Sequence, residues 1–316
     1  VRMRILVLVA GGTGGYFGGR LAQSGADVTF LVRPARAAQL GEHGLQIRSP
    51  LGDADVRVDH VVAGELVTLT QEKPFDLVLL SCKAYDLDSS LDAIEPAMSP
   101  RTTLLPILNG LLHFDQLDAR FGRERVLGGL CFISATKGPG GEILHLAKPA
   151  SITFGERDGN PNSARVQAFT SLCERAGIDH LASSDIRQEL WIKYSFLTAL
   201  AAGTCLMRAS VGDIVANEGG TEFMTRLYAE CVAVAAAAGQ PIPAEKQEFA
   251  LGTLTQQAST VKASMLRDLE AGQRVEAAQI VGDMLHRANH YGITAPLLGA
   301  AWCHLQAYES GLLERI

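Results

Sequence analysis

The chain has 316 residues, 47% hydrophobic and 20% charged, with a formal net charge of −6. At ~150 residues per domain this length predicts two domains, and so ordinary a composition excludes a disordered or fibrous protein. Lysines and arginines are scattered in ones and twos, leaving no basic face for nucleic acid, and no run reaches the ~20 apolar residues of a membrane span.

Six cysteines stand far apart, without a CxxC or a Cys/His zinc spacing. The first apolar run, residues 5–10, is too short for a signal peptide. The expectation is a reduced, cytoplasmic protein without a bound metal.

In chain order, residues 5–10 read as a buried strand, 16–24 as a helix and 28–32 as a second strand. Residues 76–82 and 103–108 are further apolar runs of strand length. Continuous apolar runs separated by helices predict an α/β fold, a Rossmann-type doubly wound parallel sheet. Between 126 and 155 the runs shorten around Gly138-Pro139-Gly140-Gly141, which reads as a hairpin-like edge. Asp185 followed by Gln188 resembles a capping box and opens an apolar helix to about Leu206. Further helices are expected near 221–238, 245–270, 276–290 and 296–309, with Gly239, Gly272 and Gly292 at C-terminal ends. The domains are therefore 1–184, nucleotide-binding, and 185–316, all-helical.

Val9-Ala10-Gly11-Gly12-Thr13-Gly14 lies between the first strand and the first helix, where a dinucleotide fingerprint belongs. Glycines there let the backbone approach a pyrophosphate, and the helix N-terminus offers it N–H groups. In a GxGxxG register ending at Gly14, Val9 stands where the first glycine should be. A glycine turn between strand and helix also occurs without any ligand. Arg33 ends the second strand, where NAD enzymes place an acid and an arginine instead accommodates a 2′-phosphate. With Arg36 it favours NADPH; the plain alternative is a solvated surface arginine.

With Ser81-Cys82-Lys83-Ala84-Tyr85, Asn109-Gly110, Glu189-Leu190-Trp191-Ile192-Lys193, Ser264-Met265-Leu266-Arg267-Asp268 and Glu276, the chain resembles the ketopantoate reductase (2-dehydropantoate 2-reductase) family over essentially its whole length. The resemblance implies a Rossmann domain that binds NADPH and a helical domain that closes over the substrate. It implies reduction of a 2-keto acid to a 2-hydroxy acid, 2-dehydropantoate to pantoate on the pantothenate route. Lys193 becomes the general acid and Glu276 its companion in the site. Asn109 becomes a contact to both the nicotinamide end and the substrate, and Ser264 a substrate hydrogen-bonding group. Lys83 becomes a cofactor-side cation and Thr136 a further cofactor contact, beside the segment from Val9 to Gly14. Carbonyl reduction needs a donor aimed at the oxygen that gains charge. Lys193 suits this role, because beside Trp191, Tyr194 and Phe196 an unpaired ammonium is costly.

The chain also departs from the family. Asparagines that grip the hydroxy acid are replaced by Leu197, Ala201 and Val261, and another polar position falls on Val211. A different, more apolar keto acid therefore stays open as substrate, with Arg208 a candidate carboxylate anchor. So does a non-catalytic NADPH-binding sensor. A 6-phosphogluconate-type or short 3-hydroxyacid dehydrogenase shares the plan, but sets its lysine in a different local motif. His286 and His290 are four apart with no acidic companion, which reads as a solvated helix end rather than a metal site. The expected partner is a small keto acid; the apolar C-terminal helices leave a homodimer open.

Overall fold

A computed structural model describes residues 3–9 and 11–313. It forms two compact units, one of residues up to Leu108 with His113–Ile186, the other of Asn109–Leu112 with the chain from Arg187 onward.

In the first unit β1 (Arg4–Leu8) leads through the glycine turn to α1 (Gly12–Gln23), β2 (Asp27–Leu31) and α2 (Pro34–His43). Three short strands follow, β3 (Leu45–Arg48), β4 (Ala54–Val56) and β5 (Asp59–Val61), then α3 (Ala63–Glu72) and β6 (Leu77–Leu80). Next come α4 (Leu87–Ile94), β7 (Thr103–Pro106), α5 (His113–Phe121) and β8 (Gly128–Lys137). β9 (Ile143–Gly155), α6 (Ala164–Ala176) and β10 (Asp179–Ala182) close the unit.

Five strands make a parallel sheet in the order β5-β2-β1-β6-β7. Every residue of β1, β6 and β7 is buried, as a sheet covered on both faces requires. The order reverses between β1 and β6, so a ligand crevice belongs at their C-terminal ends. The anticipated hairpin is β8 and β9, paired antiparallel, and β9 carries on into a second sheet ordered β10-β9-β3-β4. Sequence periodicity does not reveal β3, β4, β5 and β10. Each is three or four residues long with exposed or half-buried positions, so no continuous apolar run marks it.

Both sheets touch α1, and its glycines are the reason it fits. A Cβ on Gly18 would meet Phe30 and Val7 within 2.9 Å, and one on Gly19 would meet Leu45 and Ile47 within 2.8 Å.

The second unit is helical: α7 (Ile186–Met207), α8 (Val211–Val215), α9 (Gly220–Ala237), α10 (Ala244–Leu254), α11 (Ser264–Glu270), α12 (Asp283–His290) and α13 (Pro296–Leu313). With 22 residues, α7 is long and apolar enough to cross a membrane, yet it is the core helix here and mostly buried. The single helix expected over 245–270 is two. After Leu254 the chain unwinds, and the carbonyls of Ser259 and Val261 accept from the amides of Gly212 and Val211 at 2.8 and 2.9 Å. Those amides open α8 and have no intrahelical acceptor, which is what draws the segment out of helix. Gly239, Gly272 and Gly292 take φ of 77°, 68° and 67° at helix ends, as anticipated. Glu276, expected in a first helical turn, instead precedes the helix, and a π-helical turn over Ala278–Gly282 leads into α12.

Candidate functional site

In the first unit, the candidate nucleotide groups gather at the C-terminal edge of the parallel sheet. Val9 leaves β1 with its amide donating to the Leu31 carbonyl at 3.0 Å, and turns to a φ of 68°. Glycine adopts that left-handed conformation freely, whereas a β-branched residue is strained there. Ala10 lies outside the described residues. Gly11 is the N-cap of α1 and brings no side-chain cap, so the first-turn amides of Gly12, Thr13 and Gly14 are donors suited to an anion.

The chain here is drawn tight. A Cβ on Gly12 would stand 2.6 Å from the Ala135 carbonyl oxygen and 2.9 Å from Thr136 Cα. One on Gly14 would stand 2.6 Å from the Val9 carbonyl oxygen and press on Ser81 Oγ. Thr136 is thus placed beside the glycine turn by its backbone. Ser81, whose hydroxyl donates to the Leu8 carbonyl at 3.3 Å, is a neighbour that the motif alone does not reveal. These glycines are demanded by the packing of the turn on its own neighbours, the part that the last glycine of a dinucleotide fingerprint plays, while the first-turn amides are what suit a pyrophosphate.

Val9→Gly is expected to stabilise the fold by about 1 kcal/mol. Relief of a left-handed conformation costing about 1–2 kcal/mol outweighs the extra unfolded-state freedom of glycine. Urea denaturation checks this; a destabilised variant would mean that the valine packs more than it strains.

Arg33 is exposed and is the N-cap of α2. Arg36, one turn on, is half-buried and donates to Gln39 Oε1 at 3.2 Å; burial holds its guanidinium below the usual arginine value. Lys83, also half-buried, follows β6 by three residues, and β6 pairs with β1 in the register Leu80 to Leu8. It therefore continues from the strand beside the glycine turn.

In the second unit Lys193 is 9% exposed, and its Nζ donates to Asn109 Oδ1 at 3.0 Å. Asn109 follows β7 yet belongs with the helical unit. With Oδ1 accepting from the ammonium, the amide's other polar atom is a donor. Gly110, at a φ of 81°, lets this turn lie on the helices. A Cβ there would meet the Gln279 carbonyl at 2.8 Å and the Tyr194 ring at 3.9 Å.

Tyr194 is 1% exposed, and its hydroxyl lies 3.0 Å from the Ile280 carbonyl and 2.8 Å from Asp283 Oδ2. Burial, reinforced by the Asp283 carboxylate, pushes the phenol well above its ordinary pKa, so it stays a donor. Asp283 also accepts from Arg287 Nε at 2.8 Å, and that guanidinium lies 5.6 Å from the Trp191 ring centre. This network has no local sequence signal, because residue 194 finds its partners 86 and 89 positions away. Glu276, 7% exposed, stands two residues before the π-helical turn that holds Ile280, and Ser264 is half-buried at the start of α11.

Leu197 and Ala201 lie one and two turns beyond Lys193 on its face of α7. Arg208 is another matter. Fifteen residues past Lys193, it is displaced by about 22 Å of helical rise. Its guanidinium lies 5.9 Å from the Tyr308 ring centre, so a small keto acid at Lys193 is beyond its reach. The His286 ring stands edge-on to Trp302 at 6.3 Å, and His290 stands against Tyr291 at 5.0 Å.

A parallel nucleotide-type sheet with a glycine turn, followed by a helical unit holding a buried lysine, is the plan of a two-part oxidoreductase. Residues 5–159 match the family model described as ketopantoate reductase PanE/ApbA, and residues 185–309 match the model of its C-terminal part. The chain belongs to the ketopantoate reductase family. It is 36% identical to the uncharacterized oxidoreductase YkpB of Bacillus subtilis over 308 residues, covering 98% of this chain and 99% of that one. The crystal structure of 2-dehydropantoate 2-reductase from Methylococcus capsulatus superposes with a TM-score of 0.86 at 29% identity, covering 98% of each chain. D-mandelate dehydrogenase, solved with NADH and anilino(oxo)acetate, shares the fold at a TM-score of 0.85 and 21% identity, over 98% of this chain and 99% of that one.

Proposed function

We propose that the chain reduces a 2-keto acid to the 2-hydroxy acid with NADPH, and that 2-dehydropantoate is the first substrate to test. The observation that carries this is the buried Lys193 ammonium, held by Asn109 at 3.0 Å. When bound, NADPH supplies the hydride to C2 of the keto acid. Lys193 Nζ holds the proton for the carbonyl oxygen, where negative charge develops. Asn109 fixes the direction of the ammonium, and the buried carboxylate of Glu276 orients substrate within the same unit. Gly11, Gly12, Thr13 and Gly14 would hold the pyrophosphate, with Lys83 and Thr136 beside them.

Arg33, exposed at the N-cap of α2, would hold the 2′-phosphate, a charge-assisted contact worth about 1.5–3 kcal/mol. Arg33→Ala is therefore expected to weaken NADPH roughly tenfold to a hundredfold and to leave NADH unchanged, which nucleotide titration followed by fluorescence measures. Equal effects on both nucleotides would remove Arg33 from the site.

One observation favours a second reading of the substrate. Leu197 and Ala201 give the Lys193 face of α7 no hydrogen-bonding group at one and two turns. An apolar site does little to reward a substrate hydroxyl. Turnover of NADPH with 2-dehydropantoate, set beside 2-keto acids with purely hydrocarbon side chains, separates the two readings. A higher kcat/KM on the hydrocarbon acids selects the second.

A further inference from the structure

We infer that Tyr194 is the positioning residue of the Lys193 site, joining the three segments that carry Lys193, Asn109 and Glu276. The inference rests on the reading of Lys193 as proton donor. Tyr194 neighbours Lys193 on α7. Its ring stands 3.9 Å from where a Cβ on Gly110 would lie, and Asn109, next to Gly110, accepts from Lys193 Nζ at 3.0 Å. Its hydroxyl reaches the Ile280 carbonyl at 3.0 Å, inside the π-helical turn that begins two residues after Glu276.

A π-helical turn is a strained insertion, and such turns persist where something holds them. Here the hydroxyl holds the turn from α7, and Gly110 packs on the neighbouring Gln279 carbonyl from the 109–112 segment. Asp283, just past the turn, shares the hydroxyl proton and is itself anchored by Arg287. A hydroxyl has one proton, so the carbonyl and the carboxylate share it. Loss of the hydroxyl leaves Asp283 still paired with Arg287 but frees the turn from α7. The ammonium, the amide and the carboxylate then lose their common reference, and a displacement of ~1 Å can cost about a hundredfold in rate.

The test is steady-state kinetics of Tyr194→Phe on the full chain, with NADPH and the best 2-keto acid found. NADPH affinity and folded fraction are measured alongside, and Asp283→Asn and Lys193→Ala are run in parallel. The expected result is a kcat lowered roughly tenfold to a hundredfold in Tyr194→Phe, with KM for the keto acid within about twofold. NADPH affinity and the circular dichroism spectrum stay those of the wild type. Asp283→Asn, whose side-chain carbonyl still accepts from Tyr194, should stay within about threefold of wild-type kcat.

A Tyr194→Phe protein with wild-type kcat overturns the inference. So does one that fails to fold, or one whose loss is matched by Asp283→Asn, since the network is then merely structural. If Lys193→Ala keeps full turnover, the reading of the site itself falls. If Lys193→Ala is inactive and Tyr194→Phe is not, only the positioning role falls.

Discussion

Lys193→Ala is expected to lower kcat about 10²- to 10⁴-fold while leaving NADPH binding unchanged, the range that a positioned general acid contributes. The expectation follows from where the charge sits. Lys193, 9% exposed in the core helix of its unit, has its Nζ fixed on Asn109 Oδ1 at 3.0 Å. An isolated charge so buried would be costly. On the proposed mechanism a donor held in this way would meet the developing alkoxide without reorganising, and preorganised donors act far more strongly than they do in water.

On the proposed mechanism, truncation to alanine removes the proton source and frees Asn109 from the ammonium, while the glycine turn, Arg33, Lys83 and Thr136 lie in the other compact unit and keep their places. Rapid-mixing measurement of NADPH oxidation at saturating keto acid reads the effect directly. Lys193→Arg is the informative companion. The guanidinium keeps the charge but holds its proton far more tightly than an ammonium does, so it should rescue folding and not turnover. Full activity in Lys193→Ala would remove Lys193 from the role of proton donor.

What could be read from the chain alone was what repeats locally. Four strands of the parallel sheet, β1, β2, β6 and β7, announce themselves as largely apolar runs, whereas its edge strand β5 does not; the glycine turn is legible because it sits between a strand and a helix. Arg33 and Lys83 are legible for the same reason, as residues just past strand ends in an open parallel sheet.

The misses are long-range. The helix predicted over 245–270 is broken because α8, more than forty residues earlier, needs acceptors for its first amides. Arg208 looked like a substrate anchor by its nearness in sequence to the lysine helix. The length of that helix is what separates them. Tyr194 reads as one more apolar neighbour of Lys193 until its hydroxyl is seen to reach Ile280 and Asp283.

Gly14→Ala is the second large effect, and it should appear in stability and cofactor affinity together. The new methyl carbon would stand 2.6 Å from the Val9 carbonyl oxygen, closer than any such contact relaxes without movement of backbone. Ser81 can turn its hydroxyl away from the Leu8 carbonyl, but Val9 has no comparable freedom. It is already held at a φ of 68° with its amide bonded to Leu31.

The turn must therefore shift, at a cost of about 1–3 kcal/mol in unfolding free energy, as for other overpacked interiors. Because the same turn presents the first amides of α1, NADPH affinity should fall tenfold or more, tenfold being about 1.4 kcal/mol of lost binding. Gly64→Ala is the matched control. Its added methyl meets nothing within 4 Å, and it lies inside α3, where alanine is favoured over glycine by roughly 0.5–1 kcal/mol. Urea denaturation and NADPH titration of the two variants should then diverge, Gly64→Ala as stable as wild type or more so, and Gly14→Ala weaker on both counts. A Gly14→Ala protein that bound NADPH with wild-type affinity would mean that the pyrophosphate is held elsewhere than on this turn.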